Sequence, residues 1–443
     1  MFPNKRIWPL LILLGGVCLV GCGETPEAEQ PKPDVIPTIP ALEYNEGHLT
    51  VAQRGLPLDR YDMQVLPGMR DTSPEEISMQ FGLLVLNLPL ISWPASCAPI
   101  NDGPMLLPAA KVAERIQTIR AGGVTIEDIA INVDILTPGR SALYHVCFAE
   151  GASEARFDVA EYRRQLVSAF TALAGVDGVK YVTVGIDMNI YYHAEIDGDR
   201  RTDDYTNWVL MYREIYEAMK AVNPDLMVGP GLNYTYFRGL TMDAVAAEIG
   251  LEKPASDANA KVQKAYLEAA AFHADKRTVE PFLVSGRNAS RKVTADFLAL
   301  SFMPFTNTSP YNGEPAPSDE AAQQEVLDWH LPLHTLSAID EETMIPLVVA
   351  KVDWPEGALK RPKKAGYLAT VKKAVSPFNV LWLSWQRFSD LPDPAMGSPC
   401  AQFTRASDEA LRHKPEYCGS GIVDQYGTIE EDNSVFRTLV IEP

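Results

Sequence analysis

"KYVTVGIDMNIYYH", residues 180–193, decides the reading of this chain. Lys180 to Gly185 is a mostly apolar, β-branched run of the kind that forms a strand buried on both faces. It ends on Asp187, Asn189, two tyrosines and His193. A buried strand that delivers a carboxylate, an amide and aromatics at its exit serves a pocket. Similar runs recur at 62–66, 81–88, 128–135, 225–231, 296–302, 345–351 and 379–385. Between them lie amphipathic stretches near 108–121, 158–174, 203–222, 260–275, 319–339 and 361–375, with helical spacing of their apolar residues. Apolar strands separated by helices predict a parallel sheet covered by helices. Eight such units over this length predict a closed (β/α)8 TIM barrel. No glycine-rich phosphate loop follows any strand, which argues against a nucleotide-binding sheet.

Barrel chemistry sits on the loops leaving the C-terminal ends of the strands. Those exits carry Asn87, Trp93 and Asp134, then Asp187 with Asn189 and Tyr191. Asn233, Tyr234, Tyr236, Phe302 and Phe305 follow, then Lys351 with Asp353 and Trp354, and finally Trp385 with Asp390. Flat rings cover sugar faces, while amides and carboxylates take hydroxyls. The expectation is a carbohydrate cleft whose ligand contacts include Asn189, Tyr191, Trp354, Trp385 and Asp390. No cofactor is implied.

The N-terminus sets the compartment. Lys5 and Arg6 precede an apolar run from Ile7 to Val20 that closes on "LVGC", ending at Cys22. This is a secretory signal over residues 1–21, too short to span a bilayer, with a lipobox-like end that makes Cys22 the expected lipidation site. Residues 22–45 are acidic and proline-rich, a composition that forms a tether rather than a core. The barrel is expected over 46–443, anchored to the membrane only through the N-terminal lipid, in the bacterial cell envelope outside the cytoplasm. A net charge of −19 makes nucleic acid and anionic surfaces poor partners. With Cys18 in the signal and Cys22 lipidated, Cys97, Cys147, Cys400 and Cys418 remain, an even number in an oxidising compartment. The favoured pairings are Cys400–Cys418, within one late loop, and Cys97–Cys147, which follow strands expected to be neighbours. The acidic loop "EIDGDRRTDD" (195–204) lacks the spacing of a calcium-binding EF-hand.

Six segments carry a resemblance. "VGIDMNIYY" (184–192) and "WVLMYREIYEAMKAVNPDLMVG" (208–229) are similar to a strand "GNEV(D/N)xY" and its following helix. "DFLALSFMP" (296–304), "PLVVAKVDWP" (346–355) and "WQRFSDLP" (385–392) with "GIVDQYG" (421–427) echo the sixth, seventh and eighth units. Together they resemble the clan A (β/α)8 glycoside hydrolases, in particular bacterial lipoproteins of that group, over about residues 75–430. The resemblance implies two catalytic glutamates at the ends of the fourth and seventh strands. Here Ile186 and Asp187 replace the expected Asn-Glu pair, Lys351 occupies the nucleophile position, and Phe302 or Met303 falls where a tyrosine would steady that nucleophile.

Retaining hydrolysis places two carboxyl groups about 5–5.5 Å apart around an oxocarbenium-like centre. At roughly 5 Å and an effective dielectric of about 20, one unit charge contributes about 3 kcal/mol. Exchanging an anion for a cation therefore swings the barrier by roughly 6 kcal/mol, more than 10⁴-fold in rate. Three arrangements stay open at the level of sequence. Asp187 and Lys351 pair across the mouth and the cleft binds sugar without cutting it; or Asp187 works with Asp353 as a displaced carboxylate pair; or a neutral Lys351 serves as base or Schiff-base nucleophile.

Overall fold

The computed structural model describes residues 47–58, 72–89, 109–136, 155–193, 202–234, 250–283, 293–302, 344–353, 364–386 and 435–440, with a few short pieces between them. All of these belong to one unit, Ile39–Pro443. Eight parallel strands close into a barrel: β1 (Arg54–Pro57), β2 (Leu83–Pro89), β3 (Ile129–Asp134), β4 (Val179–Val184), β5 (Met227–Asn233), β6 (Leu298–Phe302), β7 (Leu347–Val352) and β8 (Val380–Trp385). Each strand pairs with its sequence neighbour, and β1 pairs with both β2 and β8 to seal the cylinder. The helices named here are α1 (Pro74–Ser78), α2 (Ala109–Ala121), α3 (Ala160–Leu173), α4 (Met188–His193), α5 (Thr202–Val222), α6 (Ala260–Leu283), α7 (Lys364–Val375) and α8 (Val435–Val440). The expected (β/α)8 TIM barrel is the fold observed.

The first strand departs from expectation. The stave that closes the barrel is Arg54–Pro57, whereas residues 62–66 lie outside the described residues. A four-residue strand containing Gly55 and Pro57 has no periodicity to read. Its glycine is dictated by packing: a Cβ at Gly55 would approach Val85 Cγ2 to 2.7 Å. The helix expected at 319–339 also lies outside the described residues, as do the signal, the tether, Cys22, Cys97, Cys400 and Cys418. Cys147 starts a short antiparallel hairpin, Cys147–Phe148 with Gly151–Ala152.

The two faces of the strands build two cores. Leu83, Val85, Ala130, Phe297, Ala299, Val348, Ala350 and Trp382 fill the barrel interior. Their alternate neighbours, such as Leu84, Leu86, Ile129, Ile131, Val349 and Leu383, face the helices. Buried carboxylates tie the helix layer to the wall. Asp204 on α5 accepts from the amides of Phe157 and Asp158 and from the Tyr191 hydroxyl at 2.6 Å. Burial, and secondarily the charge of Asp204, pushes the Tyr162 phenol well above the ordinary tyrosine range. Asp296, just before β6, accepts from the Val228 amide at 2.8 Å and the Tyr216 hydroxyl at 3.0 Å, and pairs with Lys220 at 2.7 Å.

β5 carries a glycine that shapes the site. A Cβ at Gly231 would lie 2.2 Å from the Gly185 carbonyl oxygen and 3.0 Å from Ile186, so the exit of β4 folds directly over it. Gly231→Ala is expected to destabilise the protein by about 1–3 kcal/mol through this overpacking, measured as a lower midpoint in urea. Asp204→Ala strands two backbone amides and a phenol. It is expected to cost about 3 kcal/mol in the same assay, since each buried unsatisfied donor costs about 1–3 kcal/mol.

Candidate functional site

Period-two alternation turns Asn87 on β2, Asn132 and Asp134 on β3, and Ser301 on β6 toward the barrel axis, continuing the interior rows that start at Val85, Ala130 and Ala299. β7 breaks the alternation. Leu300 pairs with Val349 but Ser301 pairs with Lys351, so Ala350 is an extra residue in the ladder. On the other side Val349 pairs with Leu383 and Val352 with Trp385, leaving two residues of β7 opposite Ser384. This β-bulge lets Ala350 and Lys351 both face inward, where strict alternation would send Lys351 into the helix layer.

Lys351 is consequently 5 % exposed, with Nζ 4.0 Å from Asp134 Oδ2. β3 and β7 are separated by three strands on either route around the cylinder, so this pair spans the mouth. A carboxylate facing Lys351 at ion-pair distance is Asp134 on the opposite wall, a pairing that is not among the three arrangements read from the sequence. At 4 Å and an effective dielectric of about 20 the attraction is about 4 kcal/mol, and desolvation of the ions offsets part of it. Below this pair, Asn132 Nδ2 donates to Asn87 Oδ1 at 2.9 Å and to the Ala350 carbonyl at 3.3 Å. Asn87 Nδ2 in turn donates to the Gln386 carbonyl at 3.0 Å. The second, third, seventh and eighth units are thereby joined under the mouth.

The fourth exit is a tight elbow. Gly185 and Asp187 both adopt left-handed backbone, φ 75° and 60°, and Ile186 between them drops into the barrel interior. Aspartate tolerates this region better than most residues, but a non-glycine there still costs roughly 1–2 kcal/mol. The Asp187 carbonyl accepts from the Ile190 amide at 2.9 Å, starting α4, and its side chain is fully buried. Asn189 spends its amide on β5: Nδ2 donates to the Asn233 carbonyl at 2.9 Å, and Oδ1 accepts from the Asn233 amide at 2.7 Å. Asp353, also fully buried, donates its backbone amide to the Phe302 carbonyl at 3.1 Å.

Among the described residues, the aromatics proposed for a sugar-covering rim sit in a different layer. Tyr191 packs edge-on against Phe157 with ring centroids 5.8 Å apart, and its hydroxyl is held by Asp204. Tyr234 lies against Phe302 at 4.9 Å, and Trp385 is fully buried opposite Val352; all belong to the cluster between wall and helices. Trp354 and Asp390 lie outside the described residues, as does the His193 side chain. Among the described residues no three His, Cys, Asp or Glu side chains group as metal ligands would. Sequence reasoning missed Asn132, whose signal is a lone amide inside the apolar strand "IAINVD". It also missed that Asp134 and Lys351 meet.

No protein-family model and no curated protein matches the chain. Solved structures do. A GH5_18 protein of Streptomyces cattleya in complex with Manb1-4GlcNAc is 14 % identical, with a TM-score of 0.51, over 86 % of this chain and 77 % of that one. The same organism's GH5_18 in complex with GlcNAc is 15 % identical, with a TM-score of 0.50, over 84 % of this chain and 77 % of that one. The GH53 catalytic domain of Ignisphaera aggregans is 12 % identical, covering 90 % of this chain and 99 % of that one at a TM-score of 0.48. At such identities the likeness is one of fold. The chain shares the (β/α)8 barrel of the two Streptomyces cattleya structures.

Proposed function

We propose that this protein is a lipid-anchored, extracytoplasmic barrel whose mouth binds a neutral oligo- or polysaccharide without hydrolysing it. The observation that carries this reading is Lys351. It stands where the resemblance puts the nucleophile, turned into the mouth by the bulge and set 4.0 Å from Asp134. An ammonium cannot form a glycosyl ester, and it repels the oxocarbenium-like charge that a glycosidase shelters. Asp187 and Asp353, the displaced carboxylate pair considered from sequence, are both fully buried. Asp134, which faces Lys351, keeps 18 % of its side chain exposed.

The spacing supports sugar binding in its own right. At 4.0 Å the ammonium and carboxylate are beyond direct hydrogen-bond length, and a hydroxyl bridging them would donate to Asp134 and accept from Lys351. Hydrogen bonds to charged groups contribute about 1.5–3 kcal/mol each. A neutral polyol suits this pair because it leaves the charge balance of the mouth unchanged. Trp354 and Asp390 stay candidates for further contacts on the sequence alone, and neither a cofactor nor nucleic acid enters the reading. For the anchor, Cys22 is the proposed attachment point, with residues 22–45 as the tether.

Calorimetric titration against a panel of β-glycans, with reducing ends assayed in parallel, tests the reading. Binding without reducing-end release is expected, and Lys351→Met should weaken it by about 10–100-fold, the loss of one charged hydrogen bond. Reducing ends released by the wild type and abolished in Asp187→Asn would overturn it. Lys351→Glu is expected to melt lower than Lys351→Met, because it sets two carboxylates about 4 Å apart, with Asp134→Asn restoring part of the loss. Metabolic labelling with palmitate should mark the wild type and not Cys22→Ala; equal labelling of both would remove the proposed anchor.

A further inference from the structure

We infer that Asn132 is the positioning residue of the mouth: its amide holds the seventh-strand bulge that delivers Lys351 to Asp134. Asn132 is 1 % exposed in a strand whose other members up to Val133 are Ile, Ala, Ile and Val, so a polar side chain there needs a reason. Both hydrogens of Nδ2 are used, on Asn87 Oδ1 at 2.9 Å and on the Ala350 carbonyl at 3.3 Å. Ala350 is the extra residue of the bulge, and an extra residue drops out of the regular ladder. A buried carbonyl released from the ladder has to be satisfied elsewhere, and Asn132 does so from across the barrel.

The alternative conformation makes the dependence plain. Without the bulge, residues 347–352 would alternate strictly, and Lys351 would share the outward face of Leu347 and Val349. An ammonium does not belong in that apolar layer. The bulge is therefore what converts a lysine at this position into a mouth residue. Asn87 fixes the orientation of the Asn132 amide, since its Oδ1 takes one hydrogen while its Nδ2 is held by the Gln386 carbonyl. Asn132 touches neither Lys351 nor any ligand in this account. It acts through the backbone of β7.

The test has two arms, and only the second rests on the proposed sugar binding. In ligand-free protein with isotope-labelled lysine Cε, the Lys351 signal is identified by its loss in Lys351→Met. In Asn132→Leu, which keeps the volume and removes the amide, that signal should shift and broaden toward the solvent lysines while the melting curve stays cooperative. In titrations with the glycan bound by the wild type, Asn132→Leu should weaken affinity about tenfold or more. The double variant Asn132→Leu/Lys351→Met should bind no worse than Lys351→Met alone, because both changes remove one contact. An unmoved Lys351 signal in Asn132→Leu overturns the inference, and so do losses that multiply in the double variant. If no glycan binds the wild type, the sugar reading fails and the Lys351 signal alone decides this one. Should Asn132→Leu not fold, Asn132→Ser carries the same readouts.

Discussion

The structure turns on a contact between opposite walls of one cylinder. β3 and β7 never meet in the sheet, yet Asn132 holds the Ala350 carbonyl and Asp134 faces Lys351 at 4.0 Å. Neighbouring strands are fixed by the backbone ladder whatever their side chains. Across the axis only side chains can act, and there the polar layer must satisfy itself or lose the free energy of burial. At the amide level the Asn132 Nδ2 hydrogens are taken by neutral acceptors, and at the rim an ammonium faces a carboxylate. Both depend on the same irregularity, the residue inserted at Ala350.

A second constraint shapes the fourth exit. Gly231 leaves room for the chain leaving β4 to fold inward, with Gly185 and Asp187 in left-handed backbone and Ile186 plugging the interior. Asn189 then grips both backbone groups of Asn233, so the elbow and the end of β5 move as one. The Asp187 carboxylate, which the resemblance would set at the acid/base position, is buried by the same fold that fixes its backbone. In a glycosidase that position must meet the leaving oxygen, within hydrogen-bond reach of a bound substrate. Here the elbow leaves the Asp187 side chain fully buried.

How much of this the sequence disclosed depends on the range of the interaction involved. Units such as "VKYVTV" or "LVVAKV" announce themselves, because apolar β-branched runs between amphipathic stretches reflect local burial. Arg54–Pro57 did not, since a four-residue stave with glycine forced by Val85 has no pattern of its own. At the site, Lys351 was legible by its place in "PLVVAKVDWP". That Asp134 faces it was not, because opposite walls are brought together by the bulge and the cylinder, not by spacing along the chain. The aromatics teach the same lesson: whether Trp385 or Tyr191 faces sugar or helix is a matter of one residue of parity, which a bulge or an elbow resets.

The lysine at the end of β7 also reads differently once its surroundings are known. Here the cation has a counter-charge on the far wall and a bulge that aims it there, and the bulge has an amide devoted to its backbone. Charge, backbone and support agree with one another. Burying an ammonium costs several kcal/mol unless it is paired, and a position with that cost is kept only where the charge has something to meet. In a mouth walled by Asn87, Asn132 and Asp134, the groups best matched to it are hydroxyls, which donate to the carboxylate and accept from the ammonium without disturbing the balance between them.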